Sequence, residues 1–330
     1  MGGNVPGTCF EVTATTNKAA TQINNAKTIH KLLGIKPNMT GGLDDRKASM
    51  LSHSILLIDE ASYISEELFT LIKKWTRNCK IIFIGDKYQL RAVGCPFSIF
   101  EQGLPSATLD IPMRQDESSE LYKLCRYLRQ CVIDQVLPDW SLWVGKTDIN
   151  MHDDNTYVSA VTNAFLAEED TRILTYHNHV VDTYNDAVMG ILGKQSMYEH
   201  GTKLVSRKYT KDLLYSEQEI LVHSWSDATE GGRGMIRIND TYDCPLGDWY
   251  KNSLKALKHK KDWFNFYRLQ EQYCEFSLGY SLTTYKSQGS TYDNVFVDVR
   301  DIMKCRELDT LLRQLYVGIS RARTKVHLYI

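Results

Sequence analysis

Apolar residues in the first third of the chain fall into two alternating patterns. Short unbroken runs, Ser54 to Ile58 (SILLI) and Lys80 to Ile84 (KIIFI), have the character of strands buried on both faces. Between them Leu68, Leu71, Ile72 and Trp75 recur at helical spacing. They follow Ser65-Glu66-Glu67, an N-cap with an acidic first turn. Cys9 to Ala14 predicts another strand, and Lys18 towards Asn25 a helix. Buried strands alternating with amphipathic helices predict a parallel sheet in an α/β fold. Leu121, Leu124, Cys125 and Leu128 mark a helix over 117–133, and the looser stretch around Pro138 marks a boundary. Arg172 to Tyr176 predicts a strand feeding a helix over 179–192. Strand signals return at 295–299 and 326–330, with a helix over 307–317. The stretch 199–245 breaks this rhythm. Short segments such as Glu219 to His223 and Met235 to Ile238, separated by glycines, predict a small all-β insertion. Residues 248–274 then read as helical, aromatic and basic.

Composition narrows the class. The 330 residues are 43% hydrophobic and 24% charged, which is globular and long enough for two or three domains. A net charge of −1 excludes a histone-like binder but leaves room for a local basic groove. The 8 cysteines form no C-x-x-C and no tight Cys/His cluster, so they read as reduced intracellular thiols, not a zinc site. No run approaches the ~20 apolar residues of a spanning helix. Met1 to Thr8 is Gly-rich without an apolar run, so no signal peptide and no membrane partner are expected. The expected compartment is the cytoplasm, the host's if the source is a phage.

Chemistry concentrates at strand ends. In Ile55-Leu56-Leu57-Ile58-Asp59-Glu60 two carboxylates close a buried strand, where open α/β sheets place ligands. One carboxylate can hold Mg²⁺ through its hydration shell while the next orients and deprotonates an attacking water. A solvated acidic pair opening a helix has the same sequence. Ile84-Gly85-Asp86-Lys87-Tyr88-Gln89 follows the second buried strand, and Gln89 could donate to a phosphate oxygen and accept from water. Thr283 to Thr291 is rich in hydroxyl, amide and basic donors suited to phosphates; a capped helix start is the plainer reading. Ser320-Arg321-Ala322-Arg323 supplies arginines that could meet a transferring phosphoryl group or face solvent as a basic turn. His177-x-His179 lacks a third ligand, so no metal site is expected there.

In this order and spacing the segments resemble superfamily 1 DNA helicases of the RecD/Dda-like 5′-to-3′ branch, across nearly the whole chain. Val12 to Ala20 looks like motif Ia, Thr28 to Gly34 like the next DNA-contacting motif, and Asp59-Glu60 like Walker B. Gly85 to Leu90 resembles motif III, Met113-Arg114-Gln115 motif IV, Thr283 to Gly289 motif V, and Tyr316 to Arg323 motif VI. The resemblance implies two RecA-like domains with ATP between them and single-stranded DNA across their top. It places the first domain at 1–136 and the second at 137–198 and 276–330. An SH3-like β insertion would occupy 199–245 and a helical, tower-like insertion 246–275. It implies Asp59 on Mg²⁺, Glu60 as general base, Gln89 as γ-phosphate sensor, Arg114 and Arg321 as phosphate clamps, and Gln288 and Gly289 at the nucleotide. It implies that Thr15, Asn17, Lys18, Thr28 and His30 meet DNA from the first domain, and Asn178, Thr283 and Lys286 from the second. In the helical insertion, basic residues alternate with Trp249, Trp263, Phe264, Phe266 and Tyr267. These aromatics could stack bases, or could simply pack on the motor core.

The sequence departs from the family in two places. Only Ile35 to His53 is available for the family's wedge insertion, so a full hairpin is not expected. No G-x-x-x-x-G-K-S/T is present, so the first RecA-like domain is expected to lack its P-loop strand and helix. Two readings follow. One is an ATP-driven helicase or translocase of replication, recombination or repair whose P-loop comes from a separate fragment. The other is an inactive remnant that binds single strands, a single-strand-binding protein or a replisome partner.

Overall fold

In a computed structural model, which describes residues 9–37, 42–109, 116–210, 213–229 and 232–330, the apolar runs form two parallel sheets. The first contains β1 (Cys9–Ala14), β2 (Lys27–Thr28), β3 (Ser54–Asp59) and β4 (Lys80–Phe83), in the order β2-β1-β3-β4. β1 and β3 pair in full register from Cys9–Ser54 to Ala14–Asp59, so both strands end at one edge. α1 (Asn17–Thr21) follows β1 directly. Leu56 and Ile58 turn towards α2 (Ile29–Leu33) and α3 (Glu66–Trp75), where Leu33, Leu68 and Ile72 complete a dry core. α3 begins at the expected cap, with Ser65 Oγ accepting from Leu68 N at 3.1 Å. The other face of this sheet is open. Phe10 is 63% exposed, Ile82 40% and Ile84 43%, and the register sets Val12, Leu57 and Ile82 in one row. Among the described residues no strand pairs with the outer edge of β4.

α4 (Glu120–Asp134), β5 (Ile149–His152), α5 (Asp154–Leu166), β6 (Thr171–Thr175) and α6 (Asn178–Ile191) come next. The chain then leaves the second sheet for two small antiparallel sheets. One contains β7 (Lys203–Ser206) and β8 (Glu219–Leu221). The other contains β9 (Trp225–Asp227), β10 (Met235–Ile238) and β11 (Tyr242–Pro245). Two helices follow, α7 (Trp249–His259) and α8 (Trp263–Gln272), before β12 (Phe276–Leu278) returns to pair with β7. The second sheet resumes with β13 (Ser281–Thr283), α9 (Thr284–Ser287), β14 (Tyr292–Asp298), α10 (Val299–Ile302), α11 (Leu308–Ser320) and β15 (Ala322–Tyr329). Its order is β13-β6-β14-β15-β5, all parallel.

Alternation along these strands covers both faces. Leu174, Val295, Val297, Val326 and Leu328 meet α4 and α11 on one side. Ile173 and Phe296 meet Tyr157, Val161, Phe165 and Val188 of α5 and α6 on the other. The apolar stripe of α4 is thus buried against the second sheet, not the first. The expected division at 136/137 falls behind a helix that belongs to the second core. The fold is nevertheless the expected α/β class, with parallel sheets and inserted β and helical segments.

Candidate nucleotide and nucleic-acid interface

Asp59 ends β3, and Glu60 turns the chain with φ 52°, a left-handed conformation that is unusual for Glu. Thr15 helps to impose that turn. Its Oγ1 donates to Glu60 O at 2.8 Å, and its N–H donates to Asp59 O at 3.1 Å. Ala61 N donates to Ile84 O at 2.8 Å, which draws the Gly85 turn against the carboxylate turn. A Cβ on Gly85 would lie 3.0 Å from Ala61 N and 3.2 Å from the Phe100 ring, so a larger residue would push these neighbours back by a few tenths of an ångström.

The second sheet meets this edge through α9 and the turn after it. Gln288 Nε2 donates to Gln89 Oε1 at 2.9 Å, and Tyr63 Oη donates to Gln288 Oε1. Gln22 Nε2 donates to Gly289 O at 2.7 Å. A Cβ on Gly289, whose φ is +79°, would lie 4.0 Å from Glu60 Oε1. Glu60, Gln89, Gln288 and Gly289 therefore converge. Tyr316 Oη donates to Asp86 Oδ2 at 2.7 Å, and Arg313 NH1 donates to Lys87 O and Gln89 O at 2.6 and 2.9 Å. Burial, reinforced by Asp86, pushes the Tyr316 hydroxyl well above the ordinary tyrosine range, so it stays a donor. Arg321 is 1% exposed. Its guanidinium donates to Val317 O, Ser290 O and Ser320 Oγ at 3.1, 3.3 and 3.0 Å. Arg114 lies outside the described residues. Among the described residues no three carboxylate, His or Cys side chains form a metal cluster. Adjacent carboxylates at a strand end suit Mg²⁺ held largely by water and nucleotide phosphates, which needs few protein ligands.

On the other side of Glu60 the two sheets enclose a cavity of about 440 Å³. Thr15, Asn17, Lys18, Thr28 and His30 line it from the first sheet, and Tyr285, Lys286 and Gln288 from the second. The β insertion adds Tyr209, Ser216 and Glu217, which the sequence does not single out. Local caps position several of these residues. Thr28 Oγ1 accepts from Lys31 N at 3.1 Å, and Thr283 Oγ1 from Lys286 N at 3.4 Å. Burial holds the His30 imidazole below its usual range, which keeps it neutral. Lys18 Nζ lies 3.2 Å from Glu219 Oε1, and Lys286 Nζ 3.8 Å from Glu217 Oε1. Thr283 and Asn178 do not line the cavity. Asn178 is exposed at the start of α6, next to His177, whose Nδ1 lies 2.8 Å from Asp301. In the helical insertion, Trp249 and Tyr250 pack on Tyr273, whereas Phe264 is 76% exposed.

A cleft between two parallel sheets, bordered by a groove of hydroxyl, amide and basic groups, is the architecture of nucleotide-driven motors on nucleic acid. Comparison narrows the class. Residues 7–95 match an AAA domain, and residues 278–329 match the UvrD-like helicase C-terminal domain. The chain is 23% identical to an uncharacterised protein of Acanthamoeba polyphaga mimivirus, over 91% of this chain and 81% of that one. It is also 23% identical to the RecBCD enzyme subunit RecD of Buchnera aphidicola, over 93% of this chain and 58% of RecD. Its fold resembles a Bacteroides Pif1 helicase solved with ADP-AlF3 and single-stranded DNA, at TM-score 0.57 and 15% identity over 99% of this chain and 83% of that one. Candida albicans Pif1 gives TM-score 0.56 at 17% identity, over 97% and 84%. The two family matches fall on the two parallel-sheet parts of the chain, and the solved helicases share its fold.

Proposed function

We propose that the chain is the core of an ATP-dependent helicase or translocase that moves 5′ to 3′ along single-stranded DNA. The observation that carries this reading is the joint use of a few segments by both sites. Thr15 hydrogen-bonds the Glu60 turn and lines the groove, and Lys286 to Gly289 run from the groove to Glu60. In this reading Glu60 orients and deprotonates the attacking water, and Gln89 reports the γ-phosphate to Gln288. Arg114 offsets charge on the transferring group, and Arg321 does so only by turning its guanidinium out of the buried bonds to Val317, Ser290 and Ser320. Mg²⁺, when bound beside Asp59, neutralises phosphate charge. Lys18, Thr28, His30 and Lys286 take the strand's phosphates and sugars. Polarity rests on the likeness to the RecD/Dda-like branch. It predicts unwinding of a 5′-tailed duplex and none of a 3′-tailed one.

A P-loop contributed by a segment outside residues 9–330 completes the proposal. The bare apolar face of Phe10, Val12, Leu57 and Ile82, together with the unpaired edge of β4, supports it, because a strand and helix docked there would cover both. The test is DNA-stimulated ATPase of the 330-residue chain, with and without an added fragment carrying a P-loop strand, loop and helix. The expected result is little turnover alone, rescue by the fragment, and loss of the rescue in Glu60→Gln. Robust turnover without the fragment refutes the split-site arrangement. Without the P-loop, backbone donors, the Lys and the metal-holding hydroxyl would all be absent, and one lost donor already costs about 10²–10³ in rate.

A further inference from the structure

The β insertion sets two carboxylates, two residues apart, against lysines of the groove, Glu217 at 3.8 Å from Lys286 and Glu219 at 3.2 Å from Lys18, and their surroundings drive them in opposite directions. For Glu219, burial is outweighed by Arg172 and Lys18, and its carboxyl is held down at about 2. For Glu217, burial prevails over Lys286, Lys18 and Arg207, and its carboxyl is raised above the ordinary range. Three geometric facts set Glu217 apart. Its Oε2 is buried with no hydrogen-bond partner among the described residues. Its backbone is left-handed, at φ 65°, held by its N–H on Ser206 O at 2.9 Å. Its side chain forms part of the cavity wall beside Lys286. Unpaired buried carboxylate oxygens and left-handed non-glycine residues both cost free energy, and they collect where a residue has a task. A negative charge is also the wrong sign for a groove that takes phosphates.

We infer that Glu217 is the resident anion of the groove: without DNA it engages Lys286 in place of a phosphate, and a single strand binds only as Glu217 releases Lys286 or takes up a proton. This rests on the single-strand reading above. The charged and titratable groups around it are Lys286 of α9, Lys18 of α1 and Arg207 just after β7, with His30 of α2 and Glu60, Tyr63, Tyr209 and Tyr285 in the same cavity. Burial lowers the His30 imidazole, so His30 gains its charge later than an ordinary histidine as pH falls. Protonation of Glu217 removes one negative charge from the groove and frees one lysine. Binding therefore tightens as pH falls, and the bound strand carries the proton uptake.

The test is fluorescence anisotropy of a labelled oligo-dT with wild type, Glu217→Gln, Lys286→Ala and the double variant, at pH 8 and pH 5.5. Thymine has no ionisable group in this window. Glu217→Gln is expected to tighten binding at pH 8 by about five- to tenfold and to flatten the pH dependence. Its salt dependence should steepen by about 0.7 in log–log slope, one phosphate's worth. Adding Lys286→Ala should erase the gain, which separates a groove effect from altered folding. Wild-type binding with no gain in Glu217→Gln, or a gain that survives Lys286→Ala, overturns the assignment while leaving the groove intact. No binding by any variant overturns the groove reading, and this assignment with it.

Discussion

Glu219 should be the residue whose neutralisation harms the fold most for the smallest change in shape. One of its oxygens accepts from Lys18 at 3.2 Å and from Tyr292 Oη at 2.8 Å, and the other accepts from Arg172. It thus joins α1 of the first sheet, two strands of the second sheet and the β insertion. Arg172 is 4% exposed; it also donates to Thr171 O at 2.9 Å, and the Tyr292 ring lies 4.8 Å away. Glu219→Gln leaves that buried guanidinium with only the more distant Asp170, 3.9 Å away, as an anion. The depression of the Glu219 carboxyl from 4.5 to about 2 converts to roughly 3 kcal/mol, at about 1.36 kcal/mol per pH unit. Because 28% of the side chain reaches solvent, the expected loss is discounted to about 2 kcal/mol. Urea unfolding at pH 7 measures it. Adding Arg172→Met to Glu219→Gln should recover about 1 kcal/mol, since the uncompensated cation goes with it. The sign with pH follows from a depressed carboxyl. Its contribution is complete above about 4.5 and is lost as pH falls towards 2, so the variant's stability should be flatter across that window. A loss below 1 kcal/mol, or an Arg172→Met cost that simply adds to the first, refutes the argument that this ion triad holds the units together.

Two further outcomes test other parts of the molecule. His327 and His152 face each other at 3.0 Å, and burial, aided by His152, holds the His327 imidazole down at about 4. Native stability should therefore fall as pH drops from about 6.5 towards 4, by roughly 3 kcal/mol, and His327→Phe should flatten that limb in pH-dependent urea melts. On the first sheet, Leu56→Ala in the closed core should cost about 3 kcal/mol in the same melts, whereas Ile82→Lys on the open face should cost under about 0.5 kcal/mol. Ile82→Lys should nonetheless abolish ATPase rescue by the P-loop fragment, and unimpaired rescue would show that this face is not the dock.

What the sequence discloses and what it conceals have one physical origin. β1, β3 and α3 are legible almost to the residue because their signals are local: an unbroken apolar run, a register set by period two, a serine cap on an acidic turn. α5 is equally local in kind, with Tyr157, Val161, Ala164 and Phe165 at helical spacing behind Asp153. Yet its exposed Val158 and Leu166 blur the stripe, and it is absent from the expected elements. α4 is predicted as a helix, but its periodicity shows that a face is buried and not what buries it, which here is the second sheet and α11. The site divides in the same way. Asp59, Glu60, Gln89 and Lys286 are conspicuous because short strings carry them, whereas Glu217 reads as an ordinary surface acid. Only the long excursion of the β insertion brings it back onto a lysine of α9 and close to Lys18, some two hundred residues away in the chain. The same excursion delivers Glu219 to Lys18 and Arg172. The inserted segment therefore belongs to the groove's electrostatics as much as the motor sheets do. In the proposed reading, a strand that enters the groove meets Glu217 on Lys286 and finds Lys18 already held by Glu219, so the balance between these two carboxylates, more than the number of lysines, sets how tightly the groove holds a phosphate.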